Sequence, residues 1–174
     1  MTYVPRRGKT DSDRYFLALA ENERCASEDP KARQVPQSAV GAVLVAAGKV
    51  VGKSANIIPP PIGLQRRSEG MTDADRYHYI EHAERAAIYT ALVNGEDLRG
   101  ATIYCTRFPC SDCARAIVWA GITRAVFSVG FGTERRWLPA QRAALRMMRD
   151  AGLTVRVLPM LSQAQPRTVG TPQS

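Results

Sequence analysis

The chain has 174 residues, 45% of them hydrophobic, and a net charge of +8. That length suits one domain, the apolar content excludes a disordered chain, and no apolar run approaches the ~20 residues of a membrane span. The positive balance favours phosphate-bearing partners, from nucleotides to nucleic acids, and equally suits a solvated basic surface. Residues 1–10 read as an N-terminal arm: they are basic, but no apolar segment follows, so no signal peptide is expected. Residues 11–160 read as the folded domain. Residues 161–174, polar and holding Pro166 and Pro172, read as a mobile tail.

Within the domain, residues 11–28 predict a helix capped by Asp11 or Ser12, with Tyr15, Phe16, Leu19 and Ala20 on one side. Residues 40–45 predict a buried strand, Ala47-Gly48 a turn, and residues 49–55 its hairpin partner. Residues 59–77, with Pro59-Pro60-Pro61 and Arg66-Arg67, read as irregular. Loops of this length are often binding loops or lids, and a passive surface loop is the alternative. Then come a helix over 81–93, a strand over 101–106, a helix over 110–120 and a strand over 124–129. Pro139 suits the first turn of a helix ending before Gly152, and residues 154–158 form the last strand. A hairpin followed by alternating helices and strands argues an α/β sandwich with a mixed sheet.

The cysteines are Cys25, Cys105, Cys110 and Cys113. Without an export signal a disulfide scaffold is not expected, and the close pair reads as a metal or redox site in a cytoplasmic protein. Two short motifs carry the chemistry: His82-Ala83-Glu84 and Pro109-Cys110-Ser111-Asp112-Cys113. Thiolates at the spacing of Cys110 and Cys113 can both reach one ion, and a helix start favours the thiolate form. His82 adds a neutral ligand, so Zn²⁺ would carry no net charge and keep an open fourth position, the mark of a catalytic site. Thiolates blunt Lewis acidity, and two helix N-termini aimed at the site would partly offset that. Glu84 is two residues from His82, and i and i+2 do not face each other on a regular helix. Both can serve one site only from an irregular first turn. There Glu84 can move protons from the activated water to the substrate.

Three other readings stay open. A thioredoxin-like redox pair also follows a strand and opens a helix, but gives His82 and Glu84 no role. His78 and His82 with the cysteines could close a structural site in a nucleic-acid-binding module. The cysteine pair could also be buried and inert, with the histidine motif a coincidence.

Both motifs in this order form the signature of zinc deaminases of nucleobases, and the sequence resembles the cytidine and deoxycytidylate deaminase superfamily over residues 15–158. Ser27-Glu28-Asp29-Pro30, residues 40–45, residues 76–84 and Thr106-Arg107-Phe108-Pro109-Cys110 are similar to the deoxycytidylate branch. The resemblance implies a three-layer sandwich with a mixed five-stranded sheet between helices, one catalytic zinc per subunit and a homo-oligomer. It also implies a small-molecule nucleotide substrate, deoxycytidine monophosphate (dCMP) above all, with another aminated ring as alternative. Neither a nucleic-acid partner nor a membrane is expected. It further implies that Asn56 touches the sugar, where capping the turn after the second strand is the alternative. Ala83 is expected among the substrate contacts. Trp137 can shape the base pocket, and Arg135 and Arg136 can hold a phosphate; core or interface is the other reading of Trp137. Two stretches depart from the branch: the loop from Ile57 to Gly70, whose opening reads Asn56-Ile57-Ile58-Pro59-Pro60-Pro61, and an insertion around Gln34-Val35-Pro36-Gln37. Arg142, Arg146 and Arg149 share one helix face, which reads as solvated.

Overall fold

Alternation of side chains along three strands decides the layering. In β1 (Gly41–Ala46), Val43 and Val45 join Phe16, Leu17 and Ala20 of α1 (Lys9–Glu23), while Ala42 and Leu44 face the other way. In β3 (Thr102–Cys105), Tyr104 faces α1 and Ile103 and Cys105 face away; in β4 (Arg124–Phe127), Val126 and its neighbours Ala125 and Phe127 do the same. A period of two with both faces apolar requires cover on both sides. The second cover comes from α3 (Ala83–Val93), α4 (Ser111–Trp119) and α5 (Leu138–Asp150), through Ala87, Ile88, Ile117, Ala144 and Met148. The result is the expected three-layer sandwich. The structure, a computed structural model, describes residues 9–62, 72–132 and 135–159. The proposed tail and nearly all of the proposed arm lie outside them.

The sheet has the order β2-β1-β3-β4-β5, with β2 (Lys49–Ala55) at one edge and β5 (Thr154–Val157) at the other. β1 is antiparallel to both β2 and β3, whereas β3, β4 and β5 are mutually parallel. Four of five strands therefore run the same way. The carboxyl ends of β2, β3 and β4 deliver residue 56, residues 106–110 and the stretch after residue 127 to one rim, where open α/β sheets place ligands. Two glycines set the spacing of the layers. A Cβ on Gly41 would lie 1.9 Å from the Ala20 carbonyl oxygen, and one on Gly52 would lie 2.7 Å from that of Ala87. Only glycine lets α1 and α3 approach so closely.

The expected strands are all present, and β2 covers the expected residues. The helices differ in their ends. α1 begins at Lys9, so Asp11 and Ser12 lie inside it, and it stops at Glu23 rather than near residue 28. A 3₁₀ turn, Arg24–Ala26, follows, and Pro30 then holds Asp29 extended. The stretch around the insertion forms two further 3₁₀ turns, Pro30–Arg33 and Pro36–Ser38. The stretch read as irregular contains a helix, α2 (Asp73–Tyr79), opened by a reciprocal capping box between Thr72 and Asp75. Residues 63–71 of that stretch lie outside the described residues. Among the described residues no helix is long and apolar enough to cross a membrane.

Candidate metal centre and active site

α3 and α4 begin side by side, and each begins on a residue of the two motifs. His82 is the N-cap of α3 with extended backbone (φ −70°, ψ 145°), and Cys110 is the N-cap of α4 (φ −78°, ψ 174°). Neither side chain caps its own helix, so both are left to turn into the space between the two helix starts. This removes the difficulty posed by the spacing of His82 and Glu84. His82 stands outside the helix and Glu84 in its first turn, so the two are not on opposite sides of a regular spiral.

The sulfurs of Cys110 and Cys113 are 3.7 Å apart, and Nδ1 of His82 is 3.6 Å from the first and 3.4 Å from the second. A tetrahedral zinc with Zn–S of about 2.3 Å and Zn–N of about 2.0 Å separates two sulfurs by about 3.8 Å and sulfur from nitrogen by about 3.5 Å. The three donors therefore fit zinc, and they can hold a metal ion. His78, on α2, is exposed and not part of this group, so the four-ligand reading fails among the described residues. A simple redox pair is also disfavoured, because the His82 ring stands against both sulfurs.

The electrostatics suit a cation. A hydrogen bond with Cys113, aided by the His82 ring, lowers the Cys110 pKa to about 3. The same bond between the sulfurs, together with burial, pushes the Cys113 thiol well up. The pair thus carries one negative charge readily and resists a second without a positive ion between them. His82 is held protonated more firmly than usual, first by its hydrogen bond with Cys110, although burial opposes this. Glu84 is 4% exposed, and burial raises its pKa above the ordinary carboxylate range. A carboxyl group poised nearer neutrality is suited to taking and returning a proton.

These groups lie in a cavity of about 340 Å³. Ala83 and Glu84 line it with His82 and Cys110, and Phe108 and Trp137 give it flat walls. The Phe108 ring is fixed by Phe127 and Phe131, with centroids 4.8 and 4.9 Å away. Arg136 reaches the cavity, stacks 5.3 Å over Trp137 and donates to the Tyr77 hydroxyl at 3.3 Å. Arg135 is exposed and is not among the lining residues. Asn56 lines the cavity, but its amide is fully engaged. The oxygen accepts from Ser27 Oγ and Val40 N, both at 2.8 Å, and the nitrogen donates to Asp29 and to the Ser38 carbonyl. Asn56 thus ties residues 27–40 to the end of β2, and a sugar contact must share an atom already in use.

Several lining residues escaped the sequence reading. Lys31 and Ser38 come from the two 3₁₀ turns around the insertion, Arg107 from the turn after β3, and Arg76 and Tyr77 from α2. Arg76 forms a nearly buried bidentate pair with Asp29, which anchors α2 against the insertion. The only sequence signal for α2 was Thr72 followed three residues later by Asp75. Nothing local marks Lys31 or Arg107.

A family model described as the cytidine and deoxycytidylate deaminase zinc-binding region matches residues 10–129. The chain is 34% identical over 119 residues to a deoxycytidylate deaminase of Homo sapiens, covering 65% of this chain and 62% of that protein. It is 32% identical over 149 residues to a deoxycytidylate deaminase of Pongo abelii, covering 82% and 76%. The match thus spans about three fifths of the human protein's length. The crystal structure of a dCMP deaminase from the cyanophage S-TIM5, in apo form, superposes with a TM-score of 0.63 over 87% of this chain and 100% of that one. At 20% identity that likeness shows the fold. Family match, relatives and donor set agree, and the chain belongs to the zinc-binding cytidine and deoxycytidylate deaminase family.

Proposed function

We propose that this protein is a zinc-dependent hydrolytic deaminase of a cytosine nucleotide, converting dCMP to dUMP with release of ammonia. The observation that carries the reading is a buried carboxylate, Glu84, beside a three-donor group that fits zinc, at a cavity with aromatic walls and basic residues. In this reading His82, Cys110 and Cys113 hold the metal. Zinc there supplies a Lewis acid that makes water nucleophilic near neutral pH.

The remaining work falls to the chain's own residues. Glu84 takes a proton from the attacking water and gives it to the ring nitrogen, while the water oxygen bonds to the carbon bearing the amino group. Glu84 then moves the second water proton to that amino group. The carbon–nitrogen bond breaks, ammonia leaves, and a carbonyl remains, so water and an aminated ring give a keto ring and ammonia. Phe108 and Trp137 flank the ring. Ala83 opens α3, and its main-chain N–H, which has no intrahelical partner, is available to the substrate. Lys31, Arg107 and Arg136 line the cavity and can grip a phosphate. Lys31 has no side-chain partner among the described residues, whereas Arg107 donates to the Gln37 carbonyl at 3.2 Å. Arg135 joins this group only if it turns inward. Asn56 holds the wall beside the sugar.

The protein is further read as a cytoplasmic homo-oligomer. Trp119 at 88% exposure and Val93 at 87%, at the ends of α4 and α3, are large apolar groups that a second copy would cover. Sedimentation of the purified chain as a monomer would remove that part. The activity is tested by ammonia release from dCMP, CMP, deoxycytidine, cytidine and the free base. The expected order places dCMP first and the free base last. Zinc-loaded protein that releases ammonia from none of them would sink the reading.

A further inference from the structure

Glu81 precedes the metal motif in extended conformation, with its backbone fixed by two hydrogen bonds to Ile57, at 2.8 and 3.1 Å. Its carboxylate accepts from the main-chain N–H of His82 at 2.9 Å and from Nε of Arg85 at 2.6 Å, and it also pairs with Nη2 of Arg85. The other terminal nitrogen of Arg85 lies 3.8 Å from Asp112 on α4. Asp112 sits between Cys110 and Cys113 and is paired in turn with Arg115. One guanidinium thus spans from the residue before His82 to the residue between the cysteines. The Arg85 side chain is 20% exposed, so the contact is partly withdrawn from water.

The physical need for such a bridge is clear. The starts of α3 and α4 bring two positive dipole ends together, and the three metal donors come from two separate helices. Carboxylates at both helix starts offset the dipoles, and a cation between the carboxylates fixes their spacing. A planar fork suits this better than a flexible ammonium. Burial works against the charge of Arg85, but its hydrogen bonds and ion pair with Glu81 keep the guanidinium charged.

We infer that Arg85, clamped between Glu81 and Asp112, is a positioning residue that sets the mutual placement of His82 and the two cysteines and so sets zinc affinity. This rests on the assignment of His82, Cys110 and Cys113 as the metal ligands. Residues that orient metal ligands typically change affinity by about 10–100-fold when removed.

The test measures the zinc dissociation constant of the full chain by competition with a chromophoric chelator, together with the melting temperature with and without zinc. Arg85→Gln is expected to weaken zinc by about 10–100-fold and to shrink the rise in melting temperature that zinc produces. Arg85→Lys should recover part of the loss, since it keeps the charge and lacks the fork. Asp112→Asn, at a largely exposed position that should not disturb folding, is expected to weaken zinc by a smaller factor. Arg85→Gln binding zinc within about twofold of the parent overturns the inference. Weakening in Arg85→Gln with none in Asp112→Asn overturns the bridge between the two helices. If Arg85→Gln does not fold, the Arg85→Lys and Asp112→Asn affinities decide. Cys110→Ser serves as the control for the ligand assignment. If it keeps its zinc, the assignment itself fails, whatever the Arg85 variants do.

Discussion

Asp13 and Glu84 lie on opposite faces of the sheet, both almost closed to solvent at 1% and 4% exposure. On the α1 face, Asp13 accepts from the Tyr104 hydroxyl at 3.0 Å, from Arg124 at 2.6 and 2.8 Å, and from Arg156 at 2.9 Å. Its charge is satisfied, and the cluster ties α1 to β3, β4 and β5. On the other face, Glu84 has no lysine or arginine ion pair among the described residues, and burial raises its pKa. A buried charge with every partner in place holds structure together. A buried carboxylate with a raised pKa and no lysine or arginine pair, beside the His82 ring and the cysteine pair, is a candidate for proton exchange. The first feature holds the layers together, and the second is the proposed proton carrier.

The contrast predicts opposite kinds of damage, largest first at the metal. His82→Ala and Cys110→Ser should strip zinc and abolish turnover, whereas His78→Ala should keep both, as read by metal analysis and ammonia release. If the His78 variant lost its zinc, the three-donor centre would need redrawing. Asp13→Ala removes the shared acceptor of Tyr104, Arg124 and Arg156 and should cost about 1–3 kcal/mol of stability in denaturant unfolding, since both arginines keep some access to water. The turnover of the molecules that remain folded should stay unchanged. A fall in turnover without a fall in stability would erase the distinction between the two faces.

Asn56 is a paired group on the side of the chemistry. Asn56→Ala leaves the Asp29 carboxylate and the Ser38 carbonyl without their amide donor, and about 1–3 kcal/mol should be lost. A change in KM with no loss of stability would show that the amide acts on the substrate rather than on the wall. The smallest effect belongs to Tyr104→Phe, about 0.5–1.5 kcal/mol at neutral pH. Burial and the Asp13 carboxylate push the Tyr104 pKa up from 10.0 to about 12. The neutral phenol is thus favoured in the folded state. Its contribution is complete below pH 10 and declines as pH rises from 10 towards 12, where the unfolded chain loses the proton first. Urea midpoints across that window should fall less steeply for Tyr104→Phe than for the parent, and equal slopes would contradict the shift.

Much of this was legible in the sequence, for local reasons. The strands declare themselves by alternation, and the two motifs announce their donors by residue type and spacing. What spacing could not give was the backbone at His82 and Cys110. Both became N-caps, and that alone lets His82 and Glu84 serve one centre. The insertion was visible as a departure, but not the placing of its neighbour Ser38 at the cavity, because the Ser38 carbonyl is held by Asn56, 18 residues further on. α2 was missed because its apolar periodicity is weak and its signal is a capping box with Asp75 in place of the usual Glu or Gln. Arg85 carried no signal in the sequence, and Asp112 stood out only as a residue between the two cysteines. Their meeting depends on how α3 and α4 pack, which no window along the chain contains.

Glu84 is proposed to move protons and not to hold the metal. Metal content and ammonia release measured on one preparation of Glu84→Gln test it directly, because the amide keeps the size of the side chain and cannot cycle a proton. The expected result is a folded protein with about one zinc per chain that still binds substrate and turns over at least ~10³-fold more slowly than the parent. Turnover near the parent rate, or a preparation that has lost its zinc, would contradict it.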